Sequence, residues 1–312
     1  MRRSRLVRTA ESAVAMVRLT LTRSTRSLFA HAPYPLERTL EYRGDEGLLG
    51  PDSISWEVIA DPAAFVGGLR SLLIQAAHPE VVAGVDQHSR YQDDPLGRLS
   101  RTSAYVTATT FGAMPEVETA VAQVRRIHRV VNGISSRGLR YDAADPGHSA
   151  WVHNVLTDSF LVANQVFGGR RLDPDGADGF VSEQTRIGAL LGADPMPQTA
   201  DELSHWVEEH PALAPSPEME KIVDFLSDPP ISIGIKAGYR LLLEGAIAVI
   251  PIRIRRILGV EAKPGGEMVG RAAVASLRWA TGYSPSWALA LTRSGAEVPW
   301  DRFREPPLER AS

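Results

Sequence analysis

Apolar residues recur at helical spacing along almost the whole chain, and proline and glycine fall mainly between the periodic stretches. Asp61-Pro62 predicts a helix start, an N-cap followed by a first-turn proline. The stripe it opens, Phe65, Leu69, Leu72 and Ala76, ends before Pro79. Asp94-Pro95 predicts a second start, for a helix carrying Leu99, Val106 and Phe111. Pro115 opens a third, with Val117, Val121 and Val124 turned inward. A fourth runs over about 148–167, with Trp151, Val155, Phe160 and Val166, and a fifth over about 179–191. A sixth starts at Thr199, and two more cover about 217–226 and 235–249. Pro251 interrupts the pattern, and Gly259 closes the short apolar stretch after it; a last helix is expected over about 266–280. Alternation of period two is scarce, and there is no internal repeat or low-complexity linker. The reading is one all-α, multi-helix domain over 34–294, preceded by a basic arm at 1–33 and followed by a tail at 295–312.

Within that pattern one region is unusually polar. Five of the eight histidines (His78, His88, His128, His148 and His153) lie between Gly67 and His153. Polar groups on apolar helical faces are costly unless something satisfies them, and a buried cofactor is one such partner. His128 continues the line of Val117, Val121 and Val124, so it points to the core side. A neutral imidazole there is either a satisfied core group or a metal ligand. His153, on a face with Leu156 and Phe160, is its main rival. Arg98, Arg101 and Thr102 stand at i, i+3 and i+4, so they share one side of a helix. That set suits an anionic cofactor edge with donors to spare, or else is a solvated face with Arg98 paired to Asp93 or Asp94. Gly67 and Gly68 each cost roughly 1 kcal/mol inside a helix, which implies close approach of another helix or of a flat ligand. His78 reads as the end of its helix, where a cation meets the favourable dipole end.

Composition narrows the classes. A 44% hydrophobic and 23% charged content is that of a soluble globular chain, and the net charge of −3 gives no case for nucleic-acid binding. With no cysteine, disulfides, iron–sulfur clusters, thiolate-ligated or covalently attached haem and cysteine nucleophiles are excluded. In the first thirty residues seven arginines (Arg2, Arg3, Arg5, Arg8, Arg18, Arg23 and Arg26) face one acid, Glu11. This arm is either a basic helix lying on an anionic membrane surface or a solvated arm packed on the domain. Its only apolar run, Ala13 to Val17, is too short for a secretory core, and no segment has the roughly 20 apolar residues needed to span a bilayer. The expected setting is cytoplasmic, peripheral to a membrane through the arm.

Other chemistry-bearing patterns fail. Glu202-x-x-His205 is half of a carboxylate-bridged di-iron motif with no second half, and Thr199 with Glu202 reads better as a capping box. Asp173, Asp175 and Asp178 suggest a calcium loop, yet Ala177 and Gln184 occupy ligand positions. No nucleophile elbow, P-loop or dinucleotide-binding glycine motif is present.

Several motifs recur in a fixed order: Gly67-Gly68-Leu69-Arg70, Gln75-Ala76-Ala77-His78-Pro79, Gly84-Val85-x-x-His88-Ser89 and Arg98-Leu99-x-Arg101-Thr102. Next come His128-x-x-x-x-Gly133, Tyr141-x-Ala143-x-Asp145-Pro146 and Trp151-Val152-His153. Together they resemble the catalytic domain shared by bacterial latex-clearing protein (rubber oxygenase) and the MpaB-type membrane-associated fungal oxygenases. The likeness is strongest over about residues 60–170 and weaker to about 290. It implies an all-α fold with a globin-like core, non-covalent haem b and oxidative chemistry with dioxygen. By position, His128 matches the proximal iron ligand, and Arg98, Arg101 and Thr102 match an Arg-x-x-Lys-Thr element of the haem pocket. Arg101 stands where that element has lysine, and a guanidinium cannot ligate iron as a neutral amine can. No carboxylate here is matched to the catalytic one of the latex-clearing branch, so rubber cleavage is not carried over.

The resemblance implies a haem-dependent oxygenase acting on a hydrophobic small molecule or lipid. His128 would ligate iron, with His153 or His78 as alternatives, and Arg98 would pair with a propionate. Arg101, Thr102 and His78 would orient dioxygen or stabilise developing negative charge. The alternative is a non-catalytic haem or lipid carrier, or a gas sensor, at a membrane surface. Substrate and oligomeric state are not encoded in any motif.

Overall fold

The computed structural model describes residues 16, 18–20, 22, 30–89 and 91–304. The fold is all-α, with a single two-stranded sheet among the described residues. Most of the arm and the tail beyond residue 304 lie outside the described residues; Arg18 is within them, its guanidinium 5.2 Å from the centre of the Trp279 ring.

Several helices begin where a short acceptor side chain precedes proline. Helix α1 spans Ile54–Ala60, α2 Ala63–Ala76 and α3 Pro79–His88. Helix α4 spans Pro95–Phe111 and α5 Met114–His128. Strands β1 (Asn132–Ile134) and β2 (Arg140–Asp142) form an antiparallel hairpin before α6, Pro146–Phe167. Helices α7 (Pro174–Ala189), α8 (Ala200–Glu208) and α9 (Pro217–Ser227) come next. The remainder is α10 (Ile233–Ala248), α11 (Ile252–Leu258), α12 (Gly266–Thr281) and α13 (Pro285–Ser294).

At the starts of α4, α6, α7 and α9 the side chains of Asp94, Asp145, Asp173 and Ser216 accept a first-turn backbone N–H ahead of the proline. Asp173 is thus spent on a cap rather than on a metal loop. Thr199 caps α8 from Glu202 N, while the Glu202 carboxylate reaches back to Gln198 N instead of closing the full box on Thr199. Asp61 departs from the expectation: α2 begins one residue later, with Pro62 as its N-cap. Its carboxylate accepts from Ala63 N at 2.7 Å and pairs with Arg278 at 2.7 Å, tying α2 to α12.

Helices α2 and α6 form the central pair. Leu73, Ile74, Trp151 and Val155 are buried between them, with Phe180 and Val181 of α7 in the same core. A second cluster joins Trp56 and Phe111 to Trp287, Leu291 and Phe303. That cluster corrects the expectation that the helix ending near Ala280 is the last: α13 lies beyond it, and the chain stays packed on it as far as Phe303. His78 is also corrected. It caps the start of α3 in an extended conformation, because Pro79 cannot continue α2, so it does not sit at a helix C-terminus.

Candidate functional site

The face of α2 expected to enter the core does something else. Its core-facing residues are Val66, Arg70, Leu73 and Ile74, whereas Phe65, Leu69 and Leu72 line a mainly apolar cavity of about 2000 Å³. Helices α4, α5, α6, α9 and α10 supply the other walls, through residues such as Val106, Val124, Leu156, Phe225 and Leu242.

The two glycines of α2 divide the roles expected of them. A Cβ placed on Gly67 would stand 2.7 Å from Phe160 Cδ1 and 3.0 Å from Ser159 O, so Gly67 serves the contact with α6. Nothing lies within 4 Å of such an atom on Gly68, which opens onto the cavity. Next to them Arg70 is buried, with Nη1 donating to Asp158 Oδ2 at 2.6 Å and to Ser159 Oγ at 2.8 Å. Its Nε donates to Val249 O at 3.2 Å, so three segments meet behind the cavity wall.

Helices α4 and α5 form a hairpin turned by Gly112-Ala113 and pack on each other. Arg98 lies fourteen residues before Gly112 and His128 fifteen after Ala113, so both fall at the open end. Arg98, Arg101, Thr102 and His128 all line the cavity. Burial holds His128 below the ordinary histidine pKa against the opposing pull of Asp142, so its ring is neutral at pH 7 with a lone pair free. Burial, then repulsion from Arg101, likewise lowers Arg98 from the usual arginine value. Among the described residues the Arg98 side chain has no ion-pair or hydrogen-bond partner. The salt bridge to Asp94 belongs to Arg101, at 3.0 Å on a half-exposed side chain.

Tyr105 completes this face of α4, and sequence reasoning missed it. Its hydroxyl is buried without a hydrogen-bond partner among the described residues, and burial keeps it protonated by raising its pKa. The signal is in the sequence: Arg98, Thr102 and Tyr105 stand at i, i+4 and i+7.

The remaining histidines sort differently. His153 lines the cavity but is anchored to the protein, its Nε2–H donating to Gln184 O at 2.7 Å. Full burial lowers its pKa to about 4. His78 is not on the wall. It lies one ring behind, 5.5 Å from His148 (which is on the wall) and 5.3 Å from His210, ring centre to ring centre. Burial, then His210 and His148, push His78 down to about 4, so it is neutral rather than a dipole-stabilised cation. His88 is structural: its Nε2 is 3.2 Å from the Tyr141 hydroxyl and 3.1 Å from Asn132 O.

A porphyrin iron needs one axial protein ligand, not a multi-residue cage. Among the described residues no group of three or more His, Asp or Glu could hold a bare metal ion. A neutral imidazole, an unpartnered guanidinium and an unpartnered phenol on one apolar cavity fit a haem group.

Comparison with curated proteins and with solved structures yields no match. A family model described as "ER-bound oxygenase mpaB/B'/Rubber oxygenase, catalytic domain" matches residues 56–279, which supply most of the cavity wall, and the chain belongs to that oxygenase family.

Proposed function

We propose that this oxygenase-family domain binds haem b through His128 and oxidises a hydrophobic small molecule or lipid with dioxygen. The observation that carries the reading is the joint presence, on one apolar cavity, of neutral His128 and half-buried Arg98, whose side chain lacks a partner among the described residues. Haem b, when bound, supplies the redox chemistry by which dioxygen reacts with an otherwise inert hydrocarbon.

The chain's own residues have distinct tasks in this reading. Arg98 would hold a carboxylate of the cofactor edge, which supplies the anion that its unpaired guanidinium lacks. Thr102 and Tyr105 donate hydroxyl hydrogens into the cavity, while Arg101, steadied by Asp94, sets positive charge at its edge. Phe65, Leu69, Leu72 and Leu156 exclude water and favour an apolar substrate. His78 acts behind the wall, positioning His148 without touching substrate. His153, held by Gln184 O, shapes the wall opposite α4 in this scheme.

The setting proposed is cytoplasmic, with the arginine-rich arm as a peripheral membrane contact. No described helix is long and apolar enough to cross a membrane. The test is an absorption spectrum and iron assay on the purified protein. A Soret band with near-stoichiometric iron is expected; protein that lacks both haem and iron, and takes up no added hemin, would remove the proposal.

A further inference from the structure

The segment from Arg125 to Arg140 reads RRIHRVVNGISSRGLR, with five arginines and no acidic residue. It covers the last turn of α5 and most of the β1–β2 hairpin. One face of the hairpin is pinned to α3: the Tyr141 hydroxyl donates to Gln87 Oε1 at 2.6 Å, above Gly84. Alternation along the strands sends the cross-strand partners Ile134 and Arg140 to the opposite face. Around that face large aliphatic side chains stand in solvent, Val130 at 69% exposure, Ile134 at 60% and Leu139 at 53%, with Ile127 beside them at 47%.

The charges on this surface are as unspent as its aliphatics. Arg137 is tied to Glu80, but Arg125, Arg126, Arg129 and Arg140 have no ion-pair partner among the described residues. Asp142 shares the outer face, with its carboxylate turned to Ala144 N at 2.8 Å. A cluster of aliphatics this exposed marks an interaction surface on a soluble chain.

We propose that this surface docks on an anionic lipid bilayer, with the guanidiniums on lipid phosphates and Val130, Ile134 and Leu139 seated at the acyl boundary. The mixture decides the occupant. A nucleic acid would satisfy the arginines but leave the aliphatics in water, and a second copy of this face would bring like charges together. The N-terminal arm is itself arginine-rich, so charge opposes its covering the hairpin. The same segment lends Ile127 and Val131 to the cavity wall, beside Tyr141, so docking brings that wall to the membrane. The proposal rests on the surface alone and not on haem binding, so either can fail without the other.

The absence of cysteine makes the test clean. The full chain carrying Ile134→Cys is labelled with an environment-sensitive fluorophore and mixed with vesicles of phosphatidylcholine alone or with phosphatidylglycerol added. A control label sits at Met268→Cys on α12, where the side chain is 72% exposed. The label at 134 should shift to the blue on anionic vesicles only, and the label at 268 should not. Combined Arg126→Glu, Arg129→Glu and Arg140→Glu should weaken co-sedimentation with anionic vesicles by about tenfold or more. Combined Val130→Ser, Ile134→Ser and Leu139→Ser should weaken it while leaving the thermal transition unchanged. No association with anionic vesicles, equal shifts at both labels, or binding indifferent to both sets of substitutions would overturn the proposal. Heparin binding as tight as vesicle binding and untouched by the serine set would overturn it too, in favour of a polyanion site.

Discussion

Gly67 lies so close to Phe160 that an added Cβ would stand 2.7 Å from the Phe160 ring, while its neighbour Gly68 faces open cavity. Adjacent glycines on one helix therefore serve a helix contact and a ligand space. Gly67→Ala should destabilise the fold by about 1–3 kcal/mol, since a packed neighbour must move. Gly68→Ala should be neutral or stabilise by up to about 1 kcal/mol through helix propensity. Thermal or urea denaturation of the two variants separates these outcomes; equal effects would show that the contact is not tight.

Two arginines drawn into the protein differ in whether an anion compensates them. Arg70 is compensated by Asp158, so Asp158→Ala strands a buried cation and should cost about 3–5 kcal/mol. Arg98 has no such partner among the described residues. Arg98→Leu should leave the melting temperature of the haem-free protein unchanged or raise it. The same substitution should weaken haem binding by about tenfold or more, as expected for loss of a charge-assisted hydrogen bond. Denaturation and hemin titration together check both halves, and a large loss of stability in Arg98→Leu would show that it is a structural ion pair.

The acid response follows from His78, whose folded pKa of about 4 lies below its ordinary 6.5. Between those values the unfolded chain binds more protons, so stability is complete above pH 6.5 and falls as pH drops toward 4. His78→Gln removes this linkage and should flatten the decline over that window by about 1–3 kcal/mol. Melting temperatures of both proteins across the window provide the measurement, and parallel curves would contradict it.

The start of α4 is legible because Asp94-Pro95 carries the capping chemistry in adjacent residues, whereas Asp173-Pro174 carries the same signal and opens α7 ahead of the start that its apolar spacing suggests. Ser284-Pro285 carries the same signal and opens α13, but its apolar residues Trp287, Ala288 and Leu291 span too little chain for the periodicity to stand out. The faces are harder to read. Phe65, Leu69 and Leu72 form a regular apolar stripe whether they meet a core or a cavity, and spacing cannot separate the two. His128, Arg98 and Thr102 stand out because each breaks an apolar or turn pattern locally. Tyr105 is legible at i+7 from Arg98 yet reads as an ordinary aromatic. The meeting of His78 with His210, 132 positions later in the chain, depends on tertiary packing that no local pattern encodes.

In the proposed function His128 is the protein ligand of a haem held against the α4–α5 hairpin. Hemin titration followed by the Soret band, run on the wild-type protein and on His128→Gly with and without added imidazole, tests it most directly. The wild type should bind near-stoichiometrically, His128→Gly should lose the ligated spectrum, and added imidazole should restore it. An unchanged ligated spectrum in His128→Gly without imidazole would contradict it and move the ligand to another histidine on the wall, such as His153.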